Sequence, residues 1–384
     1  MSGIHAVNSP SGASGWMVCD GWASSGTSSK YSSEGTAAHE LGADCLQFGV
    51  AATHYMGREI KADDLTFTVD ADMAGHVQSY VDTVRSLGGN LMVEQRLSIA
   101  GITGEADAEG TSDAVVILGD ELIVADLKYG MGVRVDADNN PQLMIYALAA
   151  LEIFELVTDF KTVRLMIIQP RLNHVSEWTT TPAALAEFAV TVRVAADRRT
   201  AGSTDLAPGE KQCKFCAKKA SCVALRAEMF DDLDAVDPKE VSVDELGYAM
   251  SKVGLMEDWC KAIRAETEKR LFEGRTVNGW KLVQGKRGNR AWADKAAAEA
   301  LLKSMRLKVE EMYDLSLISP TSAEKLTKRS AEGYLPTIGP RQWIKAQALI
   351  TQKDGSPSVA PESDKRPALD LVVSFDNLDA EVPT

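Results

Sequence analysis

The stretch "GTSDAVVILGDELIVADLKYG", residues 110–130, carries three charged side chains inside two apolar runs: Asp113, Asp126 and Lys128. Asp126 and Lys128 form an Asp-x-Lys. On a strand, residues i and i+2 point to one face, so the two project together. A tight turn at Gly119–Asp120 would fold the stretch into a hairpin and bring Asp113, at the start of its strand, beside them. Two carboxylates offer hard oxygens to Mg²⁺ or Mn²⁺. An adjacent lysine can position a water or offset growing negative charge. Together they suit metal-assisted phosphodiester hydrolysis. An Asp-x-Lys alone is common as a surface ion pair, so the neighbouring residues decide its weight.

Further candidates lie on either side. "NPQLMIYAL" places Gln142 and Tyr146 four residues apart, on one face of a helix opened by Pro141. Upstream, "EGTAAHEL" sets His39 and Glu40 on another helix among small residues. Histidine is a frequent ligand of Mn²⁺-type metals, although a lone helical histidine is more often structural.

A second group is thiol-based. Cys213-x2-Cys216-x5-Cys222 packs three thiols into ten residues. Such spacing binds zinc or an iron–sulfur cluster and needs a fourth ligand. Cys45 and Cys260 fall in helical stretches and read as buried core cysteines, whereas Cys19 follows a Ser-rich start.

The elements that must position these groups follow from periodicity. Helices are expected over 32–52 and over 71–89, the second stopped by Gly88–Gly89. Strands are expected at 90–99, 112–119 and 121–130, then a helix over 140–157, a strand at 161–171, a polar stretch, and a helix over 182–201. That order describes a mixed α/β core. Helices return after the cysteines, a basic β-ribbon is expected at 279–292, and 319–329 begins with a capping-box pattern. The expected organisation is a domain over 1–230, a mainly helical basic region over 231–350 and a disordered tail over 351–384.

Composition narrows the classes. The chain has 384 residues, 45% hydrophobic and 25% charged, as expected of a globular protein with a real core. No apolar run reaches the roughly 18 residues of a membrane span. The start lacks the basic and apolar regions of a secretory leader, so a cytosolic protein with reduced thiols is expected. The net charge of −14 argues against a simple nucleic-acid binder, yet Ser251–Ile350 holds 19 Lys/Arg against 12 Asp/Glu. Lys211, Lys214, Lys218 and Lys219 flank the thiols. Lys281, Lys286, Arg287 and Arg290 fall in the expected ribbon, with Trp280 and Trp292 able to stack on bases.

"GTAAHE", "GTSDAVV", "ADLKYG" and "PQLMIYAL" together resemble the motif series of the PD-(D/E)XK nuclease superfamily. The likeness is to its RecB-like branch, which includes the nuclease domains of AddAB and RecBCD and the CRISPR-associated exonucleases. The resemblance implies a restriction-endonuclease-like core. It implies that His39, Asp113, Asp126 and the Leu127 carbonyl bind the metal, Lys128 is the catalytic lysine, and Gln142 and Tyr146 support the site. Glu40 and Glu94 take supporting roles. It also makes Cys19 the fourth thiol, with Cys213, Cys216 and Cys222, of a [4Fe-4S] cluster, zinc being the alternative. That cluster would staple the domain closed. "NPQLMIYALAAL", "IIQPRLNHVSEW", "CKFCAKKASC", "GWKLVQGKRGNRAW" and "SDKRPAL" further resemble a family of phage and prophage proteins catalogued as a domain of unknown function.

The implied function is a phage-encoded, metal-dependent DNA exonuclease working in the cytoplasm of an infected or lysogenic bacterium, in recombination or replication. A structure-selective endonuclease and a catalytically silent DNA-binding accessory protein are the alternatives. No Gly-x4-Gly-Lys-Ser/Thr motif is present. Unwinding would thus fall to a helicase partner, or single strands to a single-strand-binding or annealing protein. The oligomeric state stays open.

Overall fold

The computed structural model describes residues 6–24, 29–234, 242–281, 320–327 and 338–347. The chain divides into two compact units, Met1–Gln284 and Gly285–Thr384. The first is built on a five-stranded mixed sheet in the order β3-β4-β5-β6-β7. Its strands are β3 (Asn90–Ser98), β4 (Glu109–Leu118), β5 (Glu121–Leu127), β6 (Thr162–Gln169) and β7 (His174–Thr180). Neighbours are antiparallel except β5 and β6, which run parallel. Their connection carries helix α5 (Pro141–Phe154), because a parallel pair needs a long crossover.

The centre of the sheet is buried on both faces, which is why β4 and β5 read as nearly unbroken apolar runs. Ala114, Val116, Ile123, Ala125, Met166 and Ile168 meet α2 (Lys30–Phe48) and α3 (Ala71–Ser86). The alternate residues Val115, Ile117, Leu122, Val124, Leu165 and Ile167 meet α5 and α6 (Pro182–Thr200). Caps fix the helix starts. Ser29 and Ser32 form a reciprocal capping box on α2, and Asp70 accepts from the Met73 N–H on α3. Asn140 accepts from the N–H groups of Gln142 and Leu143 and so sets the first turn of α5. Loss of such a cap costs about 1 kcal/mol.

The hairpin turn falls at Gly119–Asp120 as expected, with Leu118 opposite Glu121 and Gly119 at φ 63°. Several elements differ from expectation. The polar stretch before α6 is the edge strand β7, whose alternating half-buried and exposed residues reflect one solvated face. A small hairpin, β1 (Glu59–Ala62) and β2 (Leu65–Thr68), precedes α3. Strands of four residues give too little alternation to stand out. Two short helices, α1 (Ala13–Trp16) and α4 (Ala100–Thr103), join the list, and Asp113 lies mid-strand because β4 already begins at Glu109.

The cysteine segment begins inside α7 (Glu210–Lys214), which carries Cys213, and ends at Cys222 just before α8 (Val223–Asp234). The helices expected after it form one long helix, α9 (Val243–Phe272), opened by a Ser242–Glu245 capping box. Of the basic ribbon, the described part is an isolated bridge between Val277 and Trp280. Lys286, Arg287, Arg290, Trp292 and the expected tail lie outside the described residues. In the second unit the described helices are α10 (Pro320–Lys325) and α11 (Pro340–Gln347). Among the described residues no helix is long and apolar enough to cross a membrane.

Candidate active site and cysteine pocket

The β4–β5 ladder ends at Ala114–Ala125, and beyond it the two strands part. The candidate residues gather in that gap. Asp113 reaches across it and accepts a hydrogen bond from the Leu127 N–H at 2.7 Å. On an extended strand a residue's N–H and C=O share one edge, so the Leu127 carbonyl belongs to the same side. Lys128 stands one residue past the end of β5, yet its N–H still bonds Ile168 O at 2.9 Å, which keeps it in line. Its ammonium lies 2.8 Å from Asp126 Oδ2 and 3.0 Å from Gln142 Oε1. Gln142 Nε2 donates to Asp126 Oδ1 at 2.9 Å. One amide from α5 therefore holds both members of the Asp-x-Lys. Tyr146, one turn on, bonds Gln142. Its ring lies where a Cβ on Gly110 would come within 2.8 Å of it, so the small residue makes room.

The opposite layer contributes His39 from α2, whose Nδ1 lies 3.1 Å from Asp113 Oδ1. The β3–β4 register passes over Glu94 and Asp113, between the pairs Val93–Ala114 and Gln95–Ser112. Glu94 adopts φ 49°, a strained left-handed conformation for a residue within a strand. The distortion brings its carboxylate to the group. Donor atoms of His39, Glu94 and Asp113 all lie within 4.8 Å of one another, a trio suited to a metal ion. Asp126 is outside that trio and is held by Lys128 and Gln142. Glu40 is not brought in. It pairs with Arg58 at 2.8 Å, because consecutive helical residues point about 100° apart.

The charges settle one another. Burial pulls the His39 imidazole down, but the Asp113 carboxylate outweighs it and the net shift is upward. Burial pushes Asp113 up, but His39, the Leu127 N–H and Lys128 bring it below the ordinary range. Asp126 shifts upward, since burial and the Asp113 charge exceed the help of Lys128. Lys128, opposed by burial, is nonetheless raised by Asp126 and remains a cation. Partial burial and then the Asp113 charge push Glu94 up to about 7. Tyr80 of α3, not singled out by the sequence, lies buried beneath this group. Burial and then the charges of Asp113, Asp126 and Glu94 raise its phenol well above the usual range. In sequence it is one more apolar-face position of an amphipathic helix.

The second site joins distant segments. Cys19, Cys213, Cys216 and Cys222 line one cavity of about 340 Å³. The Cys19 loop is tied down by α6. Arg199 Nη1 donates to the carbonyls of Asp20 at 2.7 Å and Trp22 at 3.2 Å. Arg198 Nη2 reaches Asp20 Oδ1 at 3.1 Å. Ala217 N–H donates to Ala23 O at 2.9 Å, which joins the loop to the cysteine segment. Leu206 packs close over Gly21, where a Cβ would lie 2.3 Å from its Cδ2 and make that side chain shift. Backbone N–H groups of Gly209 and Leu225 point at the sulfurs of Cys213 and Cys222, at 3.4 and 3.5 Å. Burial raises the Cys213 thiol, the Gly209 N–H opposes this, and the other three sulfurs add to the rise. Cys45 is buried as expected, whereas Cys260 is exposed on the outer side of α9. Lys211, Lys214 and Lys218 are exposed around this pocket, and Trp280 is 71% exposed.

A solved structure described as "Crystal structure of SSO0001" matches with 17% identity, 38% of this chain and a TM-score of 0.23. The chain spans 66% of that protein's length. Residues 5–367 match the family described as "Protein of unknown function (DUF2800)". With that match running over nearly its whole length, the chain belongs to the DUF2800 family.

Proposed function

We propose that the protein is a metal-dependent deoxyribonuclease, a phage-encoded exonuclease with a PD-(D/E)XK core. The observation that supports it most is the convergence of Asp113, Asp126, Lys128 and Gln142 with His39 and Glu94 at one opening in the sheet. Scattered surface ion pairs would not share partners across three elements in this way.

His39, Glu94 and Asp113, with Asp126 and the Leu127 carbonyl beside them, would hold Mg²⁺ or Mn²⁺; the donors are hard oxygens and one imidazole, as these ions favour. Such an ion, when bound, supplies Lewis acidity and lowers the pKa of its water. The chain's own residues do the rest. Lys128, held cationic by Asp126, is suited to neutralise charge on a phosphate rather than to remove a proton. Gln142 fixes that ammonium and the Asp126 carboxylate as a unit. His39 orients Asp113 through its Nδ1, and Tyr146 braces Gln142 against β4.

The four thiols are suited to a [4Fe-4S] cluster. Zinc, at about 2.3 Å from each sulfur, draws the sulfurs to within about 4 Å of one another. The preference for the cluster over zinc comes from the resemblance to the iron–sulfur members of the RecB-like branch. A bond from Cys19 to Cys222 would restrain the whole intervening chain.

The test is cleavage of end-labelled linear single- and double-stranded DNA beside a circular control, with Mn²⁺, Mg²⁺ or EDTA, using protein purified anaerobically. Metal-dependent loss of linear DNA is expected. Cutting of circles would make it an endonuclease. No cleavage by protein with an intact absorbance band near 400 nm would leave a DNA-binding accessory role.

A further inference from the structure

We propose that a second, shallow cavity beside the cysteine segment binds the phosphate backbone of single-stranded DNA, with Phe215 stacking on a base. This rests on the nuclease reading for the strand's role as substrate. The cavity has a volume of about 180 Å³ and lies between residues 9–24 and the Lys211–Phe215 segment. Its walls carry the hydroxyls of Ser9, Ser11, Ser14 and Ser24, together with Lys211, and include no carboxylate. In a chain of net charge −14 an acid-free cavity with a cation at its rim is suited to an anion. Lys211 has no carboxylate within ion-pair distance among the described residues.

The floor is closed by Trp22, which packs on Gly12 and Gly15 so tightly that a Cβ would stand 2.7 and 2.3 Å from the indole. Phe215, at the rim, is 68% exposed and belongs to no core cluster. Lys214 Nζ lies 5.9 Å from its ring centroid. An exposed aromatic beside free cations is the combination that tracks single strands, by stacking and by backbone charge.

Position gives the cavity its meaning. Pro10, adjoining Ser9 and Ser11, meets the same point above Gly110 as the ring of Tyr146. Tyr146 bonds Gln142, and Gln142 holds Asp126 and Lys128. Pro10 is itself buried, so it joins the cavity wall to the ring beside Gln142 by packing. Phe215 and Lys214 lie between Cys213 and Cys216, so the thiol pocket also sets where the platform stands.

The experiment is fluorescence anisotropy of a labelled oligo-dT with EDTA present, which prevents cleavage. Lys211→Glu and Ser14→Glu alter exposed side chains, and thermal midpoints check that each variant folds. Each should weaken binding about tenfold or more and lower the salt slope by about 0.7 for each phosphate the variant no longer engages. Phe215→Ala should weaken binding about tenfold with little change in slope. Lys161→Glu, at a distant exposed site, is the charge-matched control. Cavity variants that bind like the control would overturn the proposal, as would wild-type protein that does not bind oligo-dT. Normal binding by the variants together with cleavage by the wild type removes this site and leaves the nuclease reading. Cavity-dependent binding without cleavage does the reverse.

Discussion

The gap between β4 and β5 and the cysteine pocket both gather residues far apart in sequence, but they are built differently. The gap is framed by strands, and its side chains already hold one another: His39 to Asp113, Asp113 to Leu127, Lys128 to Asp126 and Gln142. The pocket is framed by a loop and short helices. Its thiols make no such mutual network, and the loop is positioned by Arg198 and Arg199. Chemistry that needs fixed charges is suited to the rigid sheet. A tie between distant segments is suited to loops, where it adds the rigidity the backbone lacks.

If the two regions divide the work in this way, their variants must fail differently. The largest effect is expected at the gap. Asp126→Ala or Lys128→Ala should cut DNA cleavage by about 10³-fold or more, while the absorbance near 400 nm stays intact. Equal cleavage by either pure variant would sink the nuclease reading. Cys213→Ser should do the opposite first: loss of that absorbance and a thermal midpoint lowered by about 5 °C or more, with activity declining as the fold loosens. A variant with unchanged midpoint and spectrum would mean that the thiols tie nothing. Gln142→Ala should lower cleavage by about tenfold, less than loss of the groups it holds, with the spectrum unaffected.

The smallest effect tests the strained Glu94. Its folded pKa is about 7 against an ordinary 4.5. Because the folded value is the higher one, its contribution is fully present below about pH 4.5 and is lost as pH rises through 7. Glu94→Gln should therefore raise the midpoint of metal-free protein by about 2 °C at pH 8 and leave it unchanged at pH 4. Adding Mn²⁺ should reverse the order at pH 8. A midpoint difference that ignores pH would show that the carboxylate is not under the pressure described.

What could be read from the sequence followed the same division. Asp113, Asp126 and Lys128 stood out because charge interrupts buried apolar strands, and Asn140–Pro141 announced the helix that delivers Gln142. Their convergence was legible because a hairpin turn fixes register. Glu94's part was not, since it depends on a local backbone distortion that residue types do not encode. Glu40 was grouped with His39 by adjacency, which a helix undoes by rotation. Asp20, Arg198 and Arg199 escaped notice because they tie a loop to a helix far along the chain, Arg198 through the Asp20 carboxylate and Arg199 through backbone carbonyls, for which "DRR" at a helix end carries no signal. Cys260 looked buried because cysteine usually is, yet α9 turns it to solvent.

The loop that carries Cys19 also has a history in time. It is made about two hundred residues before Cys222. At roughly 5–20 residues per second, Cys19 waits on the order of 10–40 s on the growing chain before its partners emerge from the ribosome. Over that interval the α6 arginines that seat it are also still to come. If the four thiols share a cofactor as proposed, its loading is a late event of biosynthesis, and an interrupted chain that ends before Lys211 carries a Cys19 without the other three thiols.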